Sequence, residues 1–229
     1  MRLTRPKELT ETLDLLATRQ WHVLAGGTDL YPAHVERPFR HPLLDISGLS
    51  ELRGIERTDT GWRIGATTTW TDVVRAELPP AFDALKAAGQ EVGSVQIQNA
   101  ATVAGNLCNA SPAADGVPPL LILDATVELT SAARGTRRMP LLDFIQGNRQ
   151  TDLKPDEMML ALHVPSRSAT GRSSFVKLGS RRYLVISIAM VAARLSDGEA
   201  AVAVGSCSVV ARRMVALEHA LAASHGRSA

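Results

Sequence analysis

Cysteine is scarce in this sequence of 229 residues, which contains only Cys108 and Cys207. The two lie far apart and neither belongs to a Cys-x-x-Cys pair, so the sequence supports neither a disulfide framework nor a cysteine-based metal motif. Long apolar runs are also missing. The most apolar window, residues 184–195, is much shorter than the roughly 20 residues that a membrane-spanning helix needs. We therefore predict no membrane span.

The sequence has no marked excess of charge, since 25 lysines and arginines stand against 23 aspartates and glutamates. The positive charges are spread along the chain without a basic arm or stripe, which argues against nucleic-acid binding. Residues 1–17 carry charges within an amphipathic pattern and lack the uninterrupted apolar core of a secretory signal. We therefore expect a cytoplasmic protein, and the length favours two modest domains over one large one.

Apolar spacing predicts a chain that mixes helices with short strands. One helix is predicted to begin after a cap at Thr68 or Thr69 and to contain Val73, Val74 and Leu78. Other helices are predicted after Pro6, after Pro79-Pro80, and at residues 118–123 and 213–223. Strands are predicted at 23–25, 43–46, 126–130, 158–164, 175–178, 185–195 and 200–204, with hairpins over 53–66 and at 196–198. Residues 92–118 break the period and carry few charges, so they are predicted to form a long functional loop. The polar stretch 166–172 is the predicted domain boundary.

A first candidate site is the loop after the strand at residues 23–25. Its residues are Ala25, Gly26, Gly27, Thr28, Asp29 and Leu30. Two glycines allow consecutive backbone N–H groups to converge on one point, which suits a phosphate, and Thr28 adds a hydroxyl. The carboxylate of Asp29 has the wrong sign for a phosphate, so it more plausibly organises the loop or caps the following segment. An ordinary strand-to-helix turn would have the same sequence features.

A second candidate site lies in the predicted long loop. Its residues are Thr102, Val103, Ala104, Gly105 and Asn106, followed by Ser111 and Asp115. Backbone N–H groups and Asn106 suit phosphate or carbonyl oxygens, and Asp115 suits the hydroxyls of a ribose or ribityl chain. The alternative is a packed internal loop whose polar side chains satisfy its own backbone.

Four ordered motifs resemble the FAD-binding subunit of the molybdenum hydroxylases, the relatives of xanthine dehydrogenase and carbon monoxide dehydrogenase. The motifs are residues 25–30, Ile64-Gly65-Ala66-Thr67-Thr68-Thr69, residues 102–106 with 109–115, and Phe175-Val176-Lys177-Leu178-Gly179-Ser180-Arg181-Arg182. The resemblance covers nearly the whole chain in the right order. Ala104 stands where the family usually has the first of two glycines.

The resemblance implies an α+β fold. It consists of a vanillyl-alcohol-oxidase (PCMH) type FAD-binding domain of two α/β subdomains and a C-terminal α+β domain like that of the carbon monoxide dehydrogenase flavoprotein. We expect the first domain at residues 1–167, divided into about 1–52 and 53–167, and the second at 168–229. The second is shorter than the family's domain, which continues beyond this point.

The resemblance also implies roles for the candidate residues. Residues 25–29 and 102–106 would wrap the pyrophosphate and ribityl chain, with Leu30 and Ser111 beside them, and Asp115 would bond ligand hydroxyls. Met159 would lie near the adenine end. Lys177 would contact the cofactor and favour the anionic reduced flavin. Without the resemblance, a solvent-facing lysine at a strand edge explains Lys177 equally well.

In the family's scheme, electrons pass from a molybdopterin large subunit through the [2Fe–2S] clusters of a small subunit to FAD, and then to NAD or another acceptor. Molybdopterin and [2Fe–2S] are therefore expected only on partner subunits, and no catalytic side chain is expected here. A stand-alone flavin oxidoreductase is one alternative, although no substrate base is evident. A degenerate nucleotide-binding or interaction module is another, since Ala104 departs from the motif.

Other residues are given structural interpretations. His22 is expected to be structural or exposed, and Cys108 to be a small packed residue, since no base lies near it in the sequence. Tyr183 fits either a flavin neighbour or an interface tyrosine. Residues 134–138 are expected to form a solvated hairpin.

Overall fold

The computed structural model describes residues 2–18, 20–36, 39–181 and 184–225. Its N-terminal region is a small parallel sheet with one helix of nine residues and one short helix. Its elements are β1 (Leu3–Thr4), α1 (Leu9–Ala17), β2 (His22–Leu24), α2 (Leu30–Ala33) and β3 (Leu43–Asp45). The strands lie in the order β1-β3-β2, with β3 parallel to both neighbours. Leu16 of α1 packs on Leu44 and Ile46. The predicted helix and both predicted strands are therefore confirmed.

The middle of the chain forms a five-stranded antiparallel sheet with a layer of short helices. Its elements are β4 (Ile55–Thr58), β5 (Gly61–Gly65), α3 (Trp70–Arg75), α4 (Asp83–Glu91), α5 (Val95–Ala100), α6 (Val103–Asn109), α7 (Val117–Ile122), β6 (Thr126–Ser131), β7 (Gly135–Pro140), α8 (Leu141–Phe144), β8 (Ile145–Gly147), β9 (Gln150–Thr151) and β10 (Met158–Pro165). The strand order is β4-β5-β10-β6-β7, and β8 and β9 form a separate hairpin. The predicted hairpin over 53–66 is confirmed.

Two predictions for this region are wrong. Residues 92–118 are not one long loop, because they contain α5, α6 and the start of α7. Ser94 and Thr102 cap α5 and α6 through their side chains, and helices of one to two turns are too short to show a helical period. Leu78 lies outside α3, which ends at Arg75.

The hairpin predicted at residues 134–138 is confirmed, because β6 and β7 pair around a tight turn and most of these residues are exposed. Most of them belong to β7, the outer strand of the five-stranded sheet. Arg134 donates to both carboxylate oxygens of Asp156, at 2.9 and 2.8 Å. Arg137 does the same to Glu157, at 2.9 and 2.8 Å, and also reaches Asp152. These arginines therefore tie the sheet edge to the segment before β10.

The C-terminal region is a four-stranded antiparallel sheet with one helix. Its elements are β11 (Arg172–Leu178), β12 (Ala189–Ser196), β13 (Glu199–Gly205), β14 (Arg212–Arg213) and α9 (Val215–His225), in the strand order β11-β12-β13-β14. The predicted turn at 196–198 is confirmed, with Gly198 at φ 77°. The strand predicted at 185–195 begins only at Ala189. The domain boundary near residue 167 stays a prediction.

None of the helices described is both long and apolar enough to cross a membrane.

Candidate functional site

A cleft of about 1130 Å³ lies between the N-terminal parallel sheet and the helical layer. Ligand pockets typically measure about 300–1,000 Å³, so this cleft has room for a large ligand. Its walls come from the loop after β2, from α5 and α6, from the β8–β9 hairpin and from the segment at residues 184–186. The site is therefore assembled from segments far apart in the sequence.

The loop after β2 presents free backbone donors to this cleft. The N–H groups of Gly26, Gly27 and Thr28 have no hydrogen-bond partner within the described residues. A Cβ added at Gly26 would lie 2.0 Å from the carbonyl oxygen of Ala100, so only glycine allows this close approach. Gly27 adopts φ 67°. The arrangement fits the predicted phosphate nest.

Asp29 does not cap the helix that follows this loop. Its side chain is exposed and makes no capping hydrogen bond to α2. Of the two roles predicted for Asp29, capping is therefore wrong, and organising the loop stays a prediction. The first turn is instead closed by the backbone, where the N–H of Tyr31 donates to the carbonyl of Gly27 at 3.0 Å.

The second candidate segment begins α6 and is held by the segment before α3. The hydroxyl of Thr102 accepts from the N–H of Gly105 at 3.0 Å, which caps α6. The N–H of Val103 donates to the carbonyl of Thr68 at 3.0 Å, and the N–H of Trp70 donates to the carbonyl of Ala101 at 3.1 Å. Two of the sequence motifs therefore support each other directly.

Asn106 and the loop before α7 form the floor of the cleft. The side-chain oxygen of Asn106 accepts from the N–H of Gly116 at 3.2 Å. The hydroxyl of Ser111 accepts from the N–H of Ala113 at 3.2 Å. Trp70 packs against Gly116, and its indole N–H is buried without a hydrogen-bond partner in the part of the chain that is described. The loop is thus held rigidly while facing the cleft.

Asp115 lies in a buried polar cluster that joins the cleft to the C-terminal sheet. One carboxylate oxygen accepts from the ammonium of Lys177 at 2.7 Å, and the other accepts from the hydroxyl of Ser187 at 2.6 Å. The side chains of Lys177 and Asp115 are only 6% and 9% exposed. Each carboxylate oxygen has two lone pairs, so Asp115 keeps capacity for a ligand hydroxyl.

The structure brings most of the predicted site residues together. The cleft is lined by Ala25, Gly26, Gly27, Thr28, Asp29, Leu30, Thr102, Ala104, Gly105, Asn106, Ser111, Asp115 and Met159. Val103 points into the hydrophobic core and is fully buried. Lys177 does not line the cleft, because its ammonium is held by Asp115.

Two residues discussed from the sequence, His22 and Cys108, lie at the cleft. His22 lines the cleft, and burial together with the nearby His41 lowers its pKa. Cys108 also lines the cleft, and burial raises the pKa of its thiol to about 12, which fits a packed residue better than a nucleophile. Tyr183 and Arg182 lie outside the described residues.

Sequence reasoning missed the residues that close the cleft from its far sides. Arg149 and Lys154 come from the β8–β9 region, and Leu184, Val185 and Ile186 come from the segment before β12. The sequence offered one signal for Arg149, since an Asn-Arg pair after Gly147 suggests a tight turn. Nothing in the local pattern showed that this turn faces the glycine loop.

Comparison with known proteins gives consistent matches to one family. A family model described as "FAD binding domain in molybdopterin dehydrogenase" matches residues 1–167. The chain is 39% identical over 166 residues to the xanthine dehydrogenase FAD-binding subunit of Escherichia coli O157:H7, covering 70% of this chain and 56% of that protein. It is 37% identical over 198 residues to the nicotinate dehydrogenase FAD-subunit of Eubacterium barkeri, covering 80% and 64%. The chain thus spans less than two thirds of these relatives.

Solved structures share the fold. Quinoline 2-oxidoreductase from Pseudomonas putida 86 matches with a TM-score of 0.83 at 25% identity, covering 93% of this chain and 76% of that one. A carbon monoxide dehydrogenase from Hydrogenophaga pseudoflava matches with a TM-score of 0.82 at 26% identity, covering 93% and 77%. These matches confirm the predicted α+β fold and the resemblance on which it was based.

Proposed function

The chain belongs to the family of FAD-binding domains of molybdopterin dehydrogenases, and from that premise we propose that it is the FAD-carrying electron-transfer subunit of a molybdenum hydroxylase complex. The observation that carries the proposal is the set of unpaired backbone N–H groups at Gly26, Gly27 and Thr28, which face a cleft large enough for a dinucleotide. These residues are half-buried at the cleft surface, so their converging N–H groups are available to a phosphate, which accepts from several of them at once.

The residues around the cleft suit the remaining parts of FAD. Asp115 keeps acceptor capacity for hydroxyls, and Thr102 and Asn106 hold the backbone of α6 and the loop before α7 at the cleft surface. Met159 lines the cleft with an apolar side chain, and its place near the adenine end stays a prediction. A direct contact between Lys177 and the cofactor stays a prediction, and in the structure Lys177 orients Asp115.

FAD supplies the redox chemistry when bound, because its ring accepts electrons from one partner and delivers them to another. The chain's own part is to bind the cofactor, hold it rigidly and leave part of the ring accessible. The [2Fe–2S] small subunit and the molybdopterin large subunit are proposed as partners, because relatives are named as subunits of xanthine and nicotinate dehydrogenases. NAD or another acceptor would receive the electrons, and the proposed complex is cytoplasmic.

Cofactor binding is tested by the visible spectrum of the purified chain, with heat-released flavin identified by chromatography. Two matched variants sharpen the test, since Gly27 and Gly135 both adopt φ 67°. A Cβ at Gly27 would lie 2.4 Å from the Tyr31 ring, whereas a Cβ at Gly135 meets nothing within 4 Å. We expect Gly27→Ala to lose most of its FAD and Gly135→Ala to keep it, although both carry a similar backbone strain.

The subunit role is tested by co-purification from the native source. A [2Fe–2S] protein and a molybdopterin protein that elute with the chain would support it. Turnover of a substrate by the chain alone would favour a stand-alone oxidoreductase. Absence of flavin even after incubation with excess FAD would contradict the proposal and favour a degenerate module.

A further inference from the structure

Arg149 lies at the tip of the β8–β9 hairpin, in a strained backbone conformation at the edge of the cleft. Its φ is 55°, which is rare for a residue other than glycine. Its N–H donates to the carbonyl of Ala110 at 2.8 Å, and Ala110, just after α6, also has a positive φ of 46°. Such strain persists only where the surrounding structure holds it, and it concentrates at functional sites.

The guanidinium of Arg149 is fixed at one nitrogen and open at the others. One terminal nitrogen donates to the side-chain oxygen of Asn109 at 2.5 Å. Among the described residues, this is the only hydrogen bond of the guanidinium, and no carboxylate forms an ion pair with it. Lys154, the neighbouring cation of the cleft wall, is by contrast paired with Asp152 at 2.9 Å. Arg149 is exposed and lines the cleft, so its remaining donors are available to a ligand.

The side chains that line the cleft differ in polarity between the surroundings of the Asp115–Lys177 pair and those of Arg149. Beside the buried Asp115–Lys177 pair the lining carries apolar side chains, since Val92 follows Glu91, whose carbonyl accepts from Lys177, and Val185 and Ile186 precede Ser187. The surroundings of Arg149 are polar and include Asn109, Thr151 and Lys154. A flat tricyclic ring is better accommodated by the apolar surroundings, and a sugar and a purine by the polar ones.

The position along α6 agrees with this assignment. The glycine loop packs against Ala100, just before α6, whereas Arg149 is bonded to Asn109, the last residue of α6. Seven residues of helix at 1.5 Å each separate the two points by roughly 10 Å. The glycine loop and Arg149 therefore lie at opposite ends of α6.

We propose that Arg149 is a further cofactor-binding residue, which contacts the adenosine half of FAD through hydrogen bonds from its guanidinium to the sugar and base. Its flat face also suits stacking on a purine. The inference rests on the proposed function, because it requires FAD in this cleft.

Arg149→Gly is the informative variant, because glycine tolerates the positive φ and keeps the hairpin in place while the guanidinium is removed. Affinities for FAD and for FMN, which lacks the adenosine half, are measured by quenching of flavin fluorescence on the full chain. We expect FAD affinity to fall by about 10- to 100-fold, as for a lost charge-assisted hydrogen bond, with FMN affinity unchanged. Arg57→Ala, which removes an exposed arginine outside the cleft lining, should change neither.

The outcomes separate the inference from the proposed function. An Arg149→Gly variant that binds FAD as tightly as the unaltered chain overturns the inference alone. An equal loss of FAD and FMN affinity also overturns it, because the contact would then not be to the adenosine half. An unaltered chain that binds no FAD overturns the proposed function, and the inference with it.

Discussion

The cleft and the contact between α7 and the C-terminal sheet treat their polar groups in opposite ways. At the cleft, the N–H groups of Gly26, Gly27 and Thr28 have no partner among the described residues. At the C-terminal end of α7, the carbonyl of Leu121 accepts from Arg213 at 3.0 Å and the carbonyl of Ile122 accepts from Arg194 at 3.0 Å. Cations are also stabilised there, because the C-terminal end of a helix is the negative end of its dipole.

This difference separates groups that hold the fold together from groups that are available to a ligand. The paired carbonyls at the junction hold the fold together, whereas the half-buried N–H groups at the cleft are free to donate to a ligand. The Asp115–Lys177 pair belongs to both regions, because Asp115 lines the cleft and Lys177 comes from the C-terminal sheet. A substitution in this pair should therefore affect both stability and FAD binding, whereas a substitution confined to one side should affect only one of them.

Breaking the Asp115–Lys177 pair should have the largest effect. Lys177→Met leaves a buried carboxylate without its ammonium partner, so we expect a loss of about 3 kcal/mol in the free energy of unfolding, together with weaker FAD binding. Urea unfolding and FAD titration measure the two effects. The double variant Asp115→Asn with Lys177→Met should recover part of the stability. A single variant as stable as the unaltered chain would show that the pair does not couple the regions.

Removing Arg194 should affect stability alone. Arg194 is only 4% exposed, and its guanidinium donates to the carbonyls of Ile122 and Thr170. Arg194→Ala leaves the buried carbonyl of Ile122 short of a donor, so we expect a loss of about 2 kcal/mol in the free energy of unfolding. FAD affinity per folded molecule should stay the same. A change in that affinity at unaltered stability would contradict the separation between cleft and junction.

Acid should weaken the ion pairs that Arg134 and Arg137 form with the segment before β10. The resulting loss of stability should be smaller than the losses expected for the two substitutions above. Burial alone would raise the pKa of Glu157, but hydrogen bonds from Arg137 and from the backbone N–H of Lys154 outweigh it and lower that pKa below its ordinary value of 4.5. A lowered folded-state pKa means that the stabilisation is present above pH 4.5 and is lost as the pH falls through the folded-state value.

Glu157→Gln tests this pH dependence. The free energy of unfolding, measured in urea between about pH 3 and pH 7, should fall more steeply on the acid side for the unaltered chain than for the variant. The difference between the two proteins should be largest near neutral pH. Parallel curves over the whole range would show that Glu157 contributes no pH-dependent stability.

The sequence predicted the fold where local patterns are long enough to carry a signal. Apolar spacing sufficed for α1, and the alternation around Asp59-Thr60 sufficed for the β4–β5 hairpin. It failed for α5 and α6, because one or two helical turns show no period and their caps at Ser94 and Thr102 are single residues.

The candidate site was predicted in part for the same reason. Glycine and small polar residues at residues 25–30 and 102–106 carry a local signal, and the structure brings these segments to one cleft. The partners of Arg149 and Lys177 are Asn109 and Asp115, which are 40 and 62 residues away. Such pairings depend on the tertiary fold, so local patterns do not reveal them.

Amide resonances of the glycine loop give the most direct test of the central claim, that the N–H groups of Gly26, Gly27 and Thr28 hold the cofactor's phosphates. Amide shifts and hydrogen-exchange rates would be recorded with FAD and with riboflavin, which has no phosphate. We predict large shifts and slowed exchange at these three residues with FAD, and little change with riboflavin. Bound FAD that leaves all three amides unchanged would contradict the account.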